Sequence, residues 1–380
     1  MRTSVWITGT GVVSCVGNTP KELWNATLEG RSGIRDGLGR VDLDARPGKS
    51  RGTTFAIEAA TQAMKEAGWK SIGEGDGVIL GTTTGNIDLW DKDLVQFLSN
   101  ADENNRQILT RSFAQQSLGA MLDSLIAEIG RPTKMALLSS ACSAATQAIA
   151  LATMWLEQGL VKRVLVGGSE VLSSLTVEGF KSLQLLSMEP CLPFDSGRRG
   201  INLSEGAGFL TLETSETSAV KKARVSGYGL ATDSFHMTGP HPEGLGSYKA
   251  LQAALQTSGL STKEVSWVHA HGTGSELNDF SEGQAIAKLF GDVEVPVSST
   301  KNTHGHALGA SGAIESILCV EAIMHQRLLK TGGLKNPDSK IAIRHVSSSE
   351  PSRVDHILKS TLGFGGINAG LVLSRADVGR

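Results

Sequence analysis

The stretch LLSSACSAATQAIALATMWLEQG, from Leu137 to Gly159, opens as a strand and continues as a helix. Met135-Ala136-Leu137-Leu138 reads as a short buried strand. The run after Cys142, to about Glu157, has helical length and composition and stops at Gly159, a capping residue. Ala144, Ala148 and Ala152 recur every four residues, so one helix face is nearly bare and lets another backbone come close. Cys142 sits where the two elements meet. A cysteine in the first turn of a helix feels the positive end of the dipole, which favours thiolate. A free cysteine among small residues is equally a common core residue.

The same strand-to-helix step recurs along the chain. Val5 to Val13 reads as a strand, followed by a helix with Thr19 at its cap and Pro20 at its first position. Phe55 to Gly68 is an amphipathic helix, and Gly77 to Gly85 a strand running into a glycine turn. Arg163–Leu172 and Gly206–Glu213 are further strands. After about residue 215 the order restarts, with strands in ARVSGYGLAT and in SWVHAHG, the latter ending at His271. A helix in DFSEGQAIAKLFG, a strand in VPVSST and a long helix in GASGAIESILCVEAIMHQ come next. Two strands meeting at the glycine bend of HILKSTLGFGGINAGLVLS close the chain. Such alternation predicts an α/β fold with buried sheets, built as a duplicated unit over 1–215 and 216–380.

The 380 residues carry 36 basic and 38 acidic side chains, a net charge of -2, which gives no overall pull toward nucleic acid or a membrane. The 45 glycines and 19% charged residues favour a tightly packed globule. Four cysteines, Cys15, Cys142, Cys191 and Cys319, are scattered without CxxC spacing, which argues against a zinc site or a disulfide framework. The start is too glycine-rich for a signal peptide, and no apolar run approaches the roughly 20 residues of a membrane span. A soluble, cytoplasmic protein is expected.

Four stretches set reactive side chains at strand ends, the first among small residues and the other three among glycines: Cys142 in SSACSAA, His271 in HAHGTGSELND, Lys301 and His306 in SSTKNTHGHALGASGAIE, and Phe364 in GFGGIN. Ligands bind at strand ends in α/β folds. One cysteine with two histidines and a lysine suits acyl-thioester chemistry, in which a thiolate takes the acyl group and imidazoles face developing oxyanions.

These stretches resemble the β-ketoacyl-acyl carrier protein synthases of the elongating type, within the thiolase superfamily. VWITGTGVVSCVGN is similar to that family's opening strand, SSACSAATQAI to its nucleophile elbow, and CLPFDSGRRGINLSEGAGFLTLE and DSFHMTGPHPEG to two central segments. HGTGSELND, STKNTHGHALGASGAIE and LGFGGIN resemble its three C-terminal signatures. The two-histidine pattern points away from the initiating synthases and the chalcone synthases, which use Cys, His and Asn.

The resemblance implies a duplicated thiolase-like fold layered α-β-α-β-α. It implies Cys142 as the acylated nucleophile, His306 setting the cysteine and bonding the malonyl thioester carbonyl, and His271 assisting decarboxylation. Lys301, held by Glu315, would orient the histidines. The N–H groups of Cys142 and Phe364 would form an oxyanion hole, with Phe364 also a gate. Thr273 and Ser275 would contact a phosphopantetheine arm, and Leu362 and Gly365 would border the substrate. No cofactor or metal is implied. The implied partners are an acyl carrier protein and a second subunit, the same or related, with no nucleic acid and no membrane. The implied product pathway is fatty acid, polyketide or aryl-polyene synthesis.

The sequence departs from the family pattern at His269, where Glu or Asn is usual, at His304 for Thr, at Ser275 for Thr, at Leu362 for Phe and at Ile367 for Thr. Two other readings compete. One is a catalytically silent chain-length-factor-like subunit, which the nucleophile Cys142 argues against. The other is a thiolase-like enzyme acting on coenzyme A esters, which would need a second active cysteine, whereas Cys319 lies inside a helix. Among the remaining thiols only Cys191, before LPFD on an expected loop, would rival Cys142 in access.

Overall fold

A computed structural model describes residues 3–114, 117–214 and 219–378. The first run of elements is β1 (Val5–Ser14), α1 (Pro20–Glu29), β2 (Leu38–Gly39), α2 (Arg51–Glu66), β3 (Asp76–Gly81), α3 (Asp91–Ser99), α4 (Glu103–Ala114), α5 (Leu118–Ile129), β4 (Lys134–Leu138), α6 (Ala144–Glu157), β5 (Arg163–Glu170), α7 (Ser174–Ser182), β6 (Leu203–Ser204) and β7 (Gly206–Thr214). The second is β8 (Ala223–Thr232), α8 (Leu245–Ser258), β9 (Trp267–His269), α9 (Glu276–Phe290), β10 (Pro296–Ser298), α10 (Lys301–His304), α11 (Ser311–His325), β11 (Arg344–His345), β12 (His356–Gly363) and β13 (Ile367–Arg375). The expected boundary between residues 215 and 216 lies outside the described residues.

The two runs have one topology. β1 pairs with β7 and β7 with β5, both antiparallel; β5 pairs with β3 and β3 with β4, both parallel. In the second run β8 pairs with β13 and β13 with β12, antiparallel; β12 pairs with β9 and β9 with β10, parallel, with β11 added at that edge. Three residue pairs from Val5–Val225 to Ile7–Ala223 join β1 to β8. The α/β duplication read from the element order is therefore present in strand order and direction.

Helices α2 and α5 pack on the outer face of the first sheet, and α8 and α9 on that of the second. Between the sheets lie α6 and α11, touching strands of both. The layers are thus α-β-α-β-α. The helix stretch Leu308–His325 corrects one sequence expectation: by length and composition it could cross a membrane. It is 89% buried, as the core helix of a globular chain is.

Glycine sets how closely the outer helices approach. A methyl at Gly9 or Gly11 of β1 would lie 2.1 Å from Ala63 O and 2.0 Å from Ala59 O of α2. At Gly227 and Gly229 of β8 it would lie 2.3 Å from Ala254 O and 2.1 Å from Ala250 O of α8. The repeat survives as Gly-x-Gly against Ala-x-x-x-Ala.

Several boundaries differ from the sequence reading. Ser50 accepts from Thr53 N and starts α2 a turn before Phe55. β9 stops at His269, two residues short of His271. Among the described residues β4 pairs only with β3, as an edge strand, so it is half-buried and Met135 is 57% exposed.

Candidate active site

The strand-to-helix passage at Cys142 is sharp because Ala141 takes φ 48°, a left-handed value that a non-glycine residue rarely adopts. Ser143 is the N-cap of α6, so Cys142 lies before the helix rather than in its first turn. Ala144, Ala148 and Ala152 are all buried, but the closest backbone approaches fall one and two residues along. A methyl at Gly81 would sit 2.7 Å from Ala145 N, and one at Gly312 of α11 2.7 Å from Thr146 N. The small residues bring the two central helices together behind the thiol.

Cys142 Sγ lies 3.1 Å from His306 Nε2. The His306 backbone is fixed by Asn202 O, which accepts from its N–H at 2.7 Å, and its Nδ1 lies 2.9 Å from Ser311 Oγ. The His271 ring stands edge-on to that of His306, centroids 5.1 Å apart. Lys301 Nζ donates to His271 O at 2.7 Å, meets His271 Nδ1 at 3.2 Å and pairs with Glu315 Oε1. With Lys301 donating to Nδ1, the His271 ring proton resides on Nε2. Glu282 holds the strand end by accepting from the N–H groups of His271 and Gly272, each at 2.7 Å.

Burial dominates the electrostatics. It pushes the Cys142 thiol up to about 11, opposed by the Lys301 charge and by the Phe364 N–H facing the sulfur. The thiolate expected from a helix dipole is not favoured in the resting site, because the cysteine precedes the helix and is desolvated. Burial, reinforced by the Lys301 charge, also holds His271 and His306 neutral, well below the ordinary imidazole range. Glu315 is held ionised against its own desolvation by Lys301 and Lys359.

A cavity of about 360 Å³ opens onto this cluster. Cys142, His271, His306, Thr273, Ser275, Leu362 and Phe364 all line it. Phe364 stacks on Phe180 of α7, centroids 5.5 Å apart. Gly365 does not line the cavity; it makes the turn behind it, with φ 80°, and donates to Met237 O at 2.7 Å. Ser275 also caps α9, accepting from Asn278 N at 3.3 Å. Lys301 and Glu315 stand behind the cavity wall.

His269 and His304 come together away from the thiol. Thr300 Oγ1 lies 3.1 Å from His269 Nε2 and 2.9 Å from His304 Nε2. Of the two histidines in THGH it is therefore His306 that meets Cys142. Cys191, expected on an accessible loop, is 2% exposed and its thiol is pushed up to about 12 by burial.

Ser311, Glu282 and Lys359 were missed in the sequence. Lys359 had a visible signal: a lysine between Leu358 and Ser360 in a strand otherwise read as buried.

The chain matches the family models for the β-ketoacyl synthase N-terminal domain over residues 49–218 and C-terminal domain over residues 222–335. It is 31% identical to a 3-oxoacyl-[acyl-carrier-protein] synthase 2 of Synechocystis sp., covering 98% of each chain. Among solved structures it is similar to the ishigamide ketosynthase/chain length factor, with TM-score 0.92, 29% identity and 99% and 100% of the two chains covered. It is also similar to a ketosynthase (ApeO) in complex with its chain length factor (ApeC) from Xenorhabdus doucetiae, with TM-score 0.85, 30% identity and 98% of each chain covered.

Proposed function

The chain belongs to the β-ketoacyl synthase family, whose members are condensing acyltransferases, and from that premise we propose how its residues divide the reaction. The observation that carries the reading is one thiol 3.1 Å from a neutral imidazole, with a second neutral imidazole backed by Lys301 beside it.

In the first step Cys142 Sγ attacks the carbonyl of an acyl thioester. The sulfur gives its proton to His306 Nε2, which keeps it, while the departing thiolate of the carrier takes a proton from solvent. The N–H groups of Cys142 and Phe364 stabilise the tetrahedral oxyanion. In the second step a malonyl thioester loses carbon dioxide, and its carbonyl oxygen gains charge as the enolate forms. His271 Nε2–H and His306 meet that oxygen. The enolate carbon attacks the acyl carbon, the C–S bond to Cys142 breaks, and the sulfur recovers its proton from His306 Nε2. Phe364 separates the acyl and malonyl sides, and Thr273 and Ser275 hold the arm.

The substrates are carried on an acyl carrier protein, whose phosphopantetheine is part of the substrate; no resident cofactor or metal takes part. The second subunit is another copy or a related ketosynthase chain, docked along the open edge of β4, where Met135 is exposed. All four cysteines are free thiols, in keeping with a cytoplasmic location. A silent partner role is disfavoured by the Cys142–His306 contact. A thiolase role is disfavoured because Cys319 is buried in α11 and lines no part of the cavity.

The test is an intact-mass spectrum after incubation with a panel of acyl-carrier proteins, followed by malonyl-carrier protein. One acyl adduct on Cys142 that disappears as a β-ketoacyl product forms is expected. An enzyme that stays unmodified by every member of the panel would refute the reading.

A further inference from the structure

Lys359 touches neither the thiol nor the histidines. It lies on β12, 0% exposed, with its ammonium 2.8 Å from Glu315 Oε2. It donates to Ser360 O at 3.1 Å and to Thr361 Oγ1 at 2.6 Å. Glu315 is thus shared by two buried lysines, Lys301 on Oε1 and Lys359 beside Oε2. Among the described residues no group donates an aligned hydrogen bond to Oε2, so Lys359 is the cation that neutralises it.

A buried lysine is costly, and replacing a whole buried ion pair by apolar side chains of similar volume is often neutral or stabilising. Its presence calls for a reason in the chemistry, and the neighbouring geometry supplies one. Lys301 has three protons and three acceptors: Glu315 Oε1, His271 O and His271 Nδ1. The last contact keeps the His271 proton on Nε2. An uncompensated carboxylate oxygen in the interior would draw a second Lys301 proton toward it. The contact given up would be the longest of the three, 3.2 Å to His271 Nδ1.

We propose that Lys359 is a positioning residue for the condensation: by holding Glu315 Oε2 it leaves Lys301 free to bond His271 Nδ1, and so keeps the His271 proton on Nε2, aimed at the malonyl thioester. It acts through Glu315 and Lys301 and does not line the cavity. The inference rests on the condensing reading of the site.

The test is Lys359→Met, which removes the charge and keeps the volume. Carbon dioxide release from malonyl-carrier protein is expected to fall about 10²-fold, the low end of what a positioned acid–base group contributes. Acylation of Cys142, followed by intact mass, should stay within about threefold, while the thermal midpoint should fall, because Glu315 Oε2 is left buried without its cation. Without substrate, the ¹⁵N shifts of the His271 ring, assigned with His271→Gln, should show one Nε2–H tautomer in the wild type and a mixture in the variant. Unchanged ring shifts overturn the proposal. Equal loss of both half-reactions also overturns it, because that is the mark of a merely structural lysine. If the methionine variant fails to fold, Lys359→Gln keeps donors for Ser360 and Thr361 without the charge and is read the same way. A wild type that releases no carbon dioxide refutes the condensing reading, while the ring shifts still decide the role of Lys359.

Discussion

In both runs the third strand of the large sheet, β4 in the first and β10 in the second, leads into the central helix layer, but through loops of different length. β4 reaches α6 through residues 139–143, whereas β10 reaches α11 through residues 299–310. The short loop can only turn sharply, at the left-handed Ala141, and it delivers one reactive side chain, Cys142. The longer loop has room for the short helix α10 and delivers Lys301 and His306. The strand ends of β3 and β9 also correspond. In the first run Glu170 accepts from the N–H groups of Thr83 and Thr84 beyond β3. In the second, Glu282 accepts from those of His271 and Gly272 beyond β9. One duplicated frame pins equivalent loops with buried carboxylates and aims them at one crevice. The nucleophile comes from one copy and both histidines from the other.

The sharpest way to break this division is Cys142→Ala. Alanine suits the crowded elbow, so the fold should persist while condensation falls at least about 10³-fold with the nucleophile gone. Circular dichroism and product mass spectra check both halves of that statement. Next in size is the contrast between the histidines. His271→Ala should leave Cys142 able to take an acyl group while malonyl decarboxylation drops about 10²-fold or more. His306→Ala should slow the acylation itself. An inverted result would assign the roles the other way round.

The thiol itself offers a smaller, graded test. Because burial raises Cys142 to about 11, its thiolate fraction at neutral pH is small. That fraction grows by roughly tenfold per pH unit below the pKa. Iodoacetamide labelling of Cys142, mapped by peptide mass, should therefore climb steadily from about pH 7 to about pH 10, with activity falling in step. Cys15 and Cys191, pushed up to about 12, should lag behind it. A plateau by about pH 8 would mean a thiolate already stabilised in the resting site.

Much of this was legible in sequence because it depends on short-range chemistry. Pro20 after Thr19, the Gly159 stop and the glycine bend at Phe364 each mark an element end by local backbone preference, and Cys142, His271, Lys301 and His306 stand in recognisable settings. What was not legible depends on partners far along the chain. Whether β4 is central or at an edge is decided by what fails to pair beside it. The pairing of Lys359 with Glu315, and of His269 with His304 through Thr300, emerges only once β9, β10, β12 and α11 are brought together. The thiol's upward shift was missed for the same reason, since desolvation is a sum over both halves.

The frame itself can be probed through its glycines. Gly11→Ala and Gly229→Ala each place a methyl about as close to a helix carbonyl, at 2.0 and 2.1 Å. Each should destabilise by about 1–3 kcal/mol, as overpacked sites do. Urea denaturation should give similar losses for the two if the copies are mechanically equivalent. A large loss in one and none in the other would show that the duplicated contact bears on stability in only one copy.

The smallest expected effect is at Ser275, where the frame and the site share one hydroxyl. Ser275 Oγ accepts from Asn278 N as the cap of α9 and also receives the Thr273 hydroxyl at 3.3 Å on the cavity wall. Ser275→Ala should cost roughly 1 kcal/mol of stability through the lost cap. If the hydroxyl also touches the substrate arm, KM for the carrier-linked substrate should rise a few-fold with kcat little changed, the signature of a contact made equally in ground and transition states. Ser275→Asp separates the two roles, because aspartate caps as well as serine but brings charge to the cavity. Recovered stability with a KM still raised would assign the hydroxyl to both jobs. Recovered stability together with a wild-type KM would leave it as a cap alone and move arm binding to Thr273.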